Sequence, residues 1–274
     1  MVHIPSALTI AGTDPSGGAG IQADLKTFQE LKTYGMSVIT SVVAQNTTGV
    51  QAVEHLSLEM LDQQLQSIIV DMPIHAFKTG MIANKGMMEV IEKRIHELDA
   101  LFVMDPVMVA TSGDALIQED SRLFLRDHIL PHTTLVTPNI PETEYLTGEK
   151  IETTEDMKIA AEELVKKYDA GAALVKGGHL QGDAIDFLFD GNQMYSFSTA
   201  RIDTVNTHGT GCTYSAAITA YLSQGIPLVK AVEQAKEYIT AAIAKSFSLG
   251  AGSGPTNHFA IRDNPDIQTV MKEG

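Results

Sequence analysis

The chain has 274 residues, a net charge of −15 and 44% hydrophobic residues, a globular balance long enough to bury a large core without disulfides or structural metal. The acidity argues against nucleic acid or an anionic membrane as a main partner, and a single cysteine excludes a disulfide framework or a zinc–thiolate cluster. No apolar run reaches the ~18 residues of a membrane span, and residues 1–5 lack a basic region leading into an apolar run, so a cytoplasmic protein with no membrane partner is expected.

Short apolar runs alternate with amphipathic patterns along the chain. Residues 7–11 predict a strand and 12–20 a glycine-rich loop, after which Ile21, Leu25, Phe28 and Leu31 recur at helical spacing. Residues 37–44, rich in Val, Ile and Thr, predict a second strand. Leu58, Leu61, Leu65, Ile68 and Ile69 mark the next helix. Strands follow at 76–78, 101–104, 134–137 and 172–175, separated by helical segments near 86–97, 118–128, 141–147 and 155–168. Residues 185–189 and 194–197 flank Asp190-Gly191-Asn192 and predict a hairpin. Two helices, 210–224 and 228–246, finish the pattern. Strand–helix alternation implies an α/β fold with a mostly parallel, doubly wound sheet. No linker, repeat or low-complexity tract interrupts it, so one domain over 1–274 is expected.

Ligands of such sheets bind beyond the carboxyl ends of the strands. Polar and glycine-rich groups recur there: Gly12-Thr13-Asp14, Gln45-Asn46, Lys78-Thr79-Gly80-Met81, Asp105-Pro106-Val107-Met108, Thr137-Pro138-Asn139 and Lys176-Gly177-Gly178. The loop from Gly12 to Gly20 lacks the Lys-Ser/Thr ending of a P-loop and the glycine spacing of a dinucleotide fingerprint, so by itself it reads as a tight strand-to-helix turn. Asp24, placed in the first turn of the following helix, reads alone as dipole compensation. Asn139 with Glu142 fits a capping box, with Pro141 in the first turn. The alternative for Glu142 is a water-mediated hold on Mg²⁺, with Asp105 helping from its strand end. Lys176 ends a buried strand beside two glycines and suits triphosphate oxygens. His179 and His208 read as polar loop residues.

The run Asn206-Thr207-His208-Gly209-Thr210-Gly211-Cys212-Thr213, which holds the chain's one cysteine, is the most informative feature of the sequence. A glycine turn opening a helix aims free N–H groups and a positive dipole end at one point, which suits a phosphate. Cys212 in that first turn is expected to have a lowered pKa. A buried apolar cysteine is the bland alternative, and the preceding glycines favour a place in the site.

Taken together, these stretches resemble the ribokinase-like superfamily and, more closely, the hydroxymethylpyrimidine/phosphomethylpyrimidine kinases of thiamine biosynthesis, from Ala7 to about His258. The resemblance implies a three-layer α/β/α sandwich, ATP and Mg²⁺ as cofactors, a small pyrimidine substrate and a homodimer. It implies that Gly12, Asp24 and Gln45 contact the aminopyrimidine, and that Met81 and Val107 wall its ring. Asp105, Asn139 and Glu142 would organise Mg²⁺, and Lys176 would neutralise nucleotide phosphates. Gly209, Thr210, Gly211 and Cys212 would form the anion hole for the transferred phosphoryl group. Most of the superfamily places aspartate at position 212; here a thiolate would be the base toward the hydroxymethyl group.

A pyridoxine/pyridoxal kinase of the same fold is the nearest alternative. One branch carries that activity with a second, lid cysteine after the Asp-Pro-Val-Met segment, where this chain continues Val109-Ala110-Thr111-Ser112-Gly113. A non-catalytic metabolite-binding regulator would be expected to lack Lys176, Glu142 or the glycine turn. A Rossmann dehydrogenase fails on loop spacing and on the absence of a suitable acid after the second strand.

Overall fold

The computed structural model describes residues 4–108, 119–178 and 182–262. In chain order the elements begin with β1 (Ser6–Ala11), α1 (Gly20–Glu30), β2 (Tyr34–Ile39), β3 (Ser41–Asn46), β4 (Gly49–His55), α2 (Leu58–Ile69) and β5 (Ala76–Thr79). Then come α3 (Lys85–Ile95), β6 (Leu101–Met104), α4 (Glu119–Phe124), β7 (Leu135–Val136), α5 (Ile140–Thr147) and α6 (Thr154–Lys166). The chain closes with β8 (Ala173–Lys176), β9 (Ala184–Phe189), β10 (Met194–Thr199), α7 (Thr210–Ser223) and α8 (Leu228–Ala244).

Eight strands form the main sheet in the order β10-β9-β8-β7-β6-β5-β1-β2. Every neighbouring pair is parallel except β8–β9 and β9–β10, so only β9 runs against the rest. Side chains alternate between the two faces, and each face buries its own core. Leu8, Ile10, Phe77 and Phe102 pack on one side with α2, α3 and α6. Ala7, Ala76, Val103 and Leu174 pack on the other with α1, α7 and α8. Phe77 and Phe102, neighbours on β5 and β6, stack with ring centroids 4.5 Å apart. Helices on both faces make the expected three layers.

Local chemistry explains the element ends. Ser57 and Asn84 cap α2 and α3 by accepting the backbone N–H groups of Met60 and Met87. Thr153 with Asp156 closes a capping box on α6. The expected helix near 118–128 is α4 followed by a π-helical stretch, Leu125–Ile129, and a 3₁₀ turn, Leu130–His132; position 118 lies outside the described residues. Pro131 supplies no N–H, so the regular helical ladder loosens ahead of it.

The second strand differs from expectation. Residues 37–44 belong to two elements, because the chain turns at Thr40, whose N–H donates to the Ala11 carbonyl and whose hydroxyl donates to the Met81 carbonyl. Beyond it, β3 leaves the main sheet and pairs with β4 in a separate antiparallel ribbon. The sequence reading missed β4. It is largely exposed on both faces, so no alternation of apolar and polar residues marked it. The hairpin at β9–β10 and the last two helices fall where the pattern placed them. Segment 109–113, His179 and residues 263–274 lie outside the described residues.

Candidate active site

A cavity of about 750 Å³ opens at the carboxyl ends of the parallel strands, and every site residue singled out from the sequence lines it. Gly12 follows β1, Gly80 and Met81 follow β5, Asp105 follows β6, Lys176 ends β8, and the first turn of α7 closes one side. The ribbon contributes Val43, Gln45 and Val50. Gln45 therefore reaches the cavity from β3 and not from the end of a main-sheet strand.

The α7 start is fixed by Gly209. Its φ of +78° is the left-handed conformation that glycine adopts without strain. A Cβ there would also lie 1.7 Å from the Gly18 carbonyl oxygen, so the turn and the first loop touch backbone to backbone. Gly211 faces the charged side of the cavity. Its missing Cβ would sit 3.6 Å from Lys176 Nζ and 3.7 Å from Asp105 Oδ2.

Cys212 keeps part of its surface toward this cavity. Its thiol contradicts the expectation of a lowered pKa. Burial pushes it up to about 12; Lys78 and the Gly20 N–H favour the thiolate, and Asp24 and Asp105 oppose it. A helix N-terminus alone does not decide a thiol's charge when two carboxylates from other elements face it.

On the phosphate side, Lys176 Nζ donates to Asp105 Oδ1 at 3.2 Å. Burial disfavours the ammonium, but Asp105 and Glu142 outweigh it and raise its pKa. Asp105 Oδ2 also accepts from Ser215 on α7 at 3.2 Å. Asn139 and Glu142 form the capping box in full: the Glu142 N–H donates to Asn139 Oδ1 at 2.9 Å and the Asn139 N–H to Glu142 Oε2 at 2.8 Å. Burial, with Asp105 nearby, raises the Glu142 carboxyl to about 7 against the pull of Lys176. No group of three or more acidic, histidine or cysteine side chains poised for a metal exists among the described residues. The donors at hand, Asp105 and Glu142, are hard oxygens, which fits a Mg²⁺ that keeps much of its water and not a fully protein-caged metal.

On the opposite side, Asp24 is fully buried and belongs to the second turn of α1, so it is not a first-turn cap. Its Oδ1 accepts from Lys78 Nζ at 2.7 Å and its Oδ2 from Thr9 Oγ1 at 2.6 Å. Lys78 is also fully buried; burial works against its charge, and the Asp24 carboxylate outweighs burial and raises its pKa. Gly12 leaves room for Met81, whose Cε would lie 2.4 Å from a Cβ at that position. Val107, three residues beyond the end of β6, also lines the cavity.

Three pairs were missed from the sequence. Lys78 was read only as part of a strand end and emerges as the partner of Asp24. His208 Nε2 lies 2.7 Å from Asp14 Oδ2, and Asp14 also accepts the N–H groups of Ser16, Gly18 and Ala19. Burial opposes the Asp14 charge, yet hydrogen bonds from His208, Ser16 and Gln45 hold its carboxyl well below the usual range. The pair ties the first loop to the glycine turn, so His208 is more than a polar loop residue. Asp186, opposite Lys176 across β8–β9, accepts from Lys236 Nζ at 2.7 Å and from the Gly177 N–H at 3.0 Å. The three pairs join residues 50 to 194 positions apart, and no spacing rule links them.

Sequence and structure comparisons agree on the kinship. A sequence model of the phosphomethylpyrimidine kinase family matches residues 14–257. The hydroxymethylpyrimidine/phosphomethylpyrimidine kinase of Bacillus subtilis is 45% identical over 266 residues, covering 96% of this chain and 98% of that protein. The ADP complex of Bacillus subtilis pyridoxal kinase superposes with a TM-score of 0.89 at 40% identity, covering 96% of this chain and 100% of the other. Staphylococcus aureus pyridoxal kinase in complex with AMP-PCP and pyridoxal does so at 0.86 and 35% identity, covering 94% and 95%. These matches establish a kinase, a phosphoryl-transferring enzyme, and the chain belongs to the phosphomethylpyrimidine kinase family.

Proposed function

We propose that the chain phosphorylates 4-amino-5-hydroxymethyl-2-methylpyrimidine with ATP, and then phosphorylates the monophosphate to the diphosphate, in thiamine biosynthesis. The observation that carries this reading is the position of Gly211, where an added Cβ would lie within 3.7 Å of both Lys176 and Asp105, in the cavity that Gly12, Gln45 and Met81 also line. An acceptor oxygen held near the ribbon would face a phosphoryl group held at the α7 turn. In each transfer the bond from the γ-phosphorus to the β,γ-bridging oxygen breaks and a bond to the acceptor oxygen forms. Such transfers depend on positioning and charge neutralisation more than on covalent chemistry.

Lys176 would neutralise the nucleotide phosphates, and backbone N–H groups at Gly211 and Cys212 would face the transferred group. Asp105 and Glu142, with Asn139 orienting Glu142, would hold Mg²⁺ through water; the ion supplies charge neutralisation on the phosphates when bound. Asp24 has both oxygens engaged by Lys78 and Thr9, so its contact with a ring amine would be shared with that pair. A cytoplasmic homodimer is the assembly in which we expect this activity, and sedimentation would test it.

Cys212 would accept the hydroxymethyl proton in the first transfer as its thiolate; burial keeps the thiol protonated in the ligand-free protein, so this role requires that the thiol lose its proton before the transfer. The second needs no such acceptor, because its nucleophile is a phosphate oxygen already ionised near neutral pH. Cys212→Ala should therefore slow phosphorylation of the alcohol more than that of the monophosphate. Equal loss on both would remove the base role.

Pyridoxal phosphorylation is a second reading, favoured by the likeness to two pyridoxal kinases. The only cysteine of this chain is Cys212, so a lid thiol that captures an aldehyde is absent. Competition between the pyrimidine alcohol and pyridoxine under steady-state turnover separates the two.

A further inference from the structure

Among the described residues, the two lysines that line the cavity are committed to carboxylates, Lys176 to Asp105 at 3.2 Å and Lys236 to Asp186 at 2.7 Å, and the fully buried Lys78 is paired with Asp24 at 2.7 Å. Arg201 donates to the carbonyls of Gly182 and Gly178. Arg122, on α4, is different. It lines the cavity, yet among the described residues it makes no ion pair, and its buried Nε has no hydrogen-bond acceptor. Its guanidinium carbon lies 3.8 Å from the ring centroid of Tyr145, so the plane is held by stacking and not by a carboxylate. Tyr145 is three residues beyond Glu142 on α5, which places the guanidinium along the edge of the site that holds Asn139 and Glu142.

We propose that Arg122 is a phosphate-binding residue of this site. A buried donor without an acceptor is costly, and a planar guanidinium fixed on an aromatic face presents its remaining N–H groups as a fork matched to phosphate oxygens. The proposal rests on the kinase reading, which supplies two phosphate sources: the nucleotide and the monophosphate acceptor. Either source meets the same chemistry.

The test uses the full chain and Arg122→Gln, with Arg122→Lys to keep a charge if the first variant folds poorly. Dissociation constants are measured for AMP-PCP, adenosine, the pyrimidine monophosphate and the pyrimidine alcohol. Loss of a charge-assisted hydrogen bond corresponds to about tenfold or more in affinity. Weakening of AMP-PCP by that factor, with adenosine unchanged, supports the proposal with the nucleotide as source. Weakening of the monophosphate, with the alcohol unchanged, supports it with the acceptor as source. Equal shifts in ligands with and without phosphate, or no shift in any, overturn it. Because these are binding measurements, they decide the point even if wild-type enzyme turns over neither pyrimidine, a result that would remove the proposed substrate and not the phosphate contact.

Discussion

Gly211→Ala isolates the phosphoryl site from the fold that carries it. The position lies in the first turn of α7, and Gly211 is not among the residues with positive φ. Alanine in a helix is favoured over glycine by roughly 0.5–1 kcal/mol. The new methyl would meet Lys176 Nζ and Asp105 Oδ2 at 3.6 and 3.7 Å, ordinary van der Waals distances. Folding is therefore expected to be unharmed, with the melting temperature steady or up by about 2–4 °C per kcal/mol gained. The same methyl occupies the space between the turn and the two charges, where a phosphoryl group has to sit. A misplacement of about 1 Å costs on the order of 10²-fold in such reactions, or ~2.7 kcal/mol of transition-state stabilisation. Steady-state ADP release and a thermal melt on the same sample read both quantities. Activity within about threefold of wild type would refute the placement of the phosphoryl group at Gly211.

Gly209→Ala is the contrasting case: a left-handed backbone and a 1.7 Å overlap with the Gly18 oxygen should lower both the melting temperature and the activity, and a melt unchanged from wild type would contradict the packing. Lys78→Met leaves Asp24 buried without its cation and should cost about 3–5 kcal/mol in urea denaturation; the double variant with Asp24→Asn should recover a large part of it, and additive losses would show that the pair is not coupled. With its thiol pushed up to about 12, Cys212 in the ligand-free protein should be alkylated slowly at pH 8, with a thiolate fraction of ~10⁻⁴, and the rate should still be climbing at pH 10; a plateau near pH 8 would contradict this. Glu142 titrates at about 7 in the fold, against 4.5 ordinarily, so the stability it contributes is present below about 4.5 and is lost as pH rises through about 7. Glu142→Gln, which can keep the capping box, should flatten the change in melting temperature between pH 5 and 8; an unchanged pH dependence would dismiss the shift.

The layers of the fold were legible because hydrophobic periodicity and helix caps are local signals. Asn139, Pro141 and Glu142 announce the start of α5 by spacing alone, and the capping box is present in full. The ribbon was not legible. β4 is mostly exposed, and the break at Thr40 depends on hydrogen bonds to Ala11 and Met81, which are distant in sequence. The strand-end residues were legible as a group because an α/β sheet gathers them at one edge. Their charges were not, since these depend on surroundings brought from elsewhere: Lys78 for Asp24, His208 for Asp14, and the burial that, with nearby carboxylates, keeps Cys212 protonated. The thiol shows the limit most clearly. Its helix position suggested one direction of shift, and burial beside Asp24 and Asp105 imposed the other.

The most direct test of the account is product analysis by mass spectrometry after incubation with ATP, Mg²⁺ and the hydroxymethylpyrimidine. Conversion to the monophosphate and then the diphosphate is expected, with one ADP released for each phosphoryl group transferred. Absence of pyrimidine-dependent ADP, or phosphorylation confined to pyridoxal and pyridoxine, would contradict it.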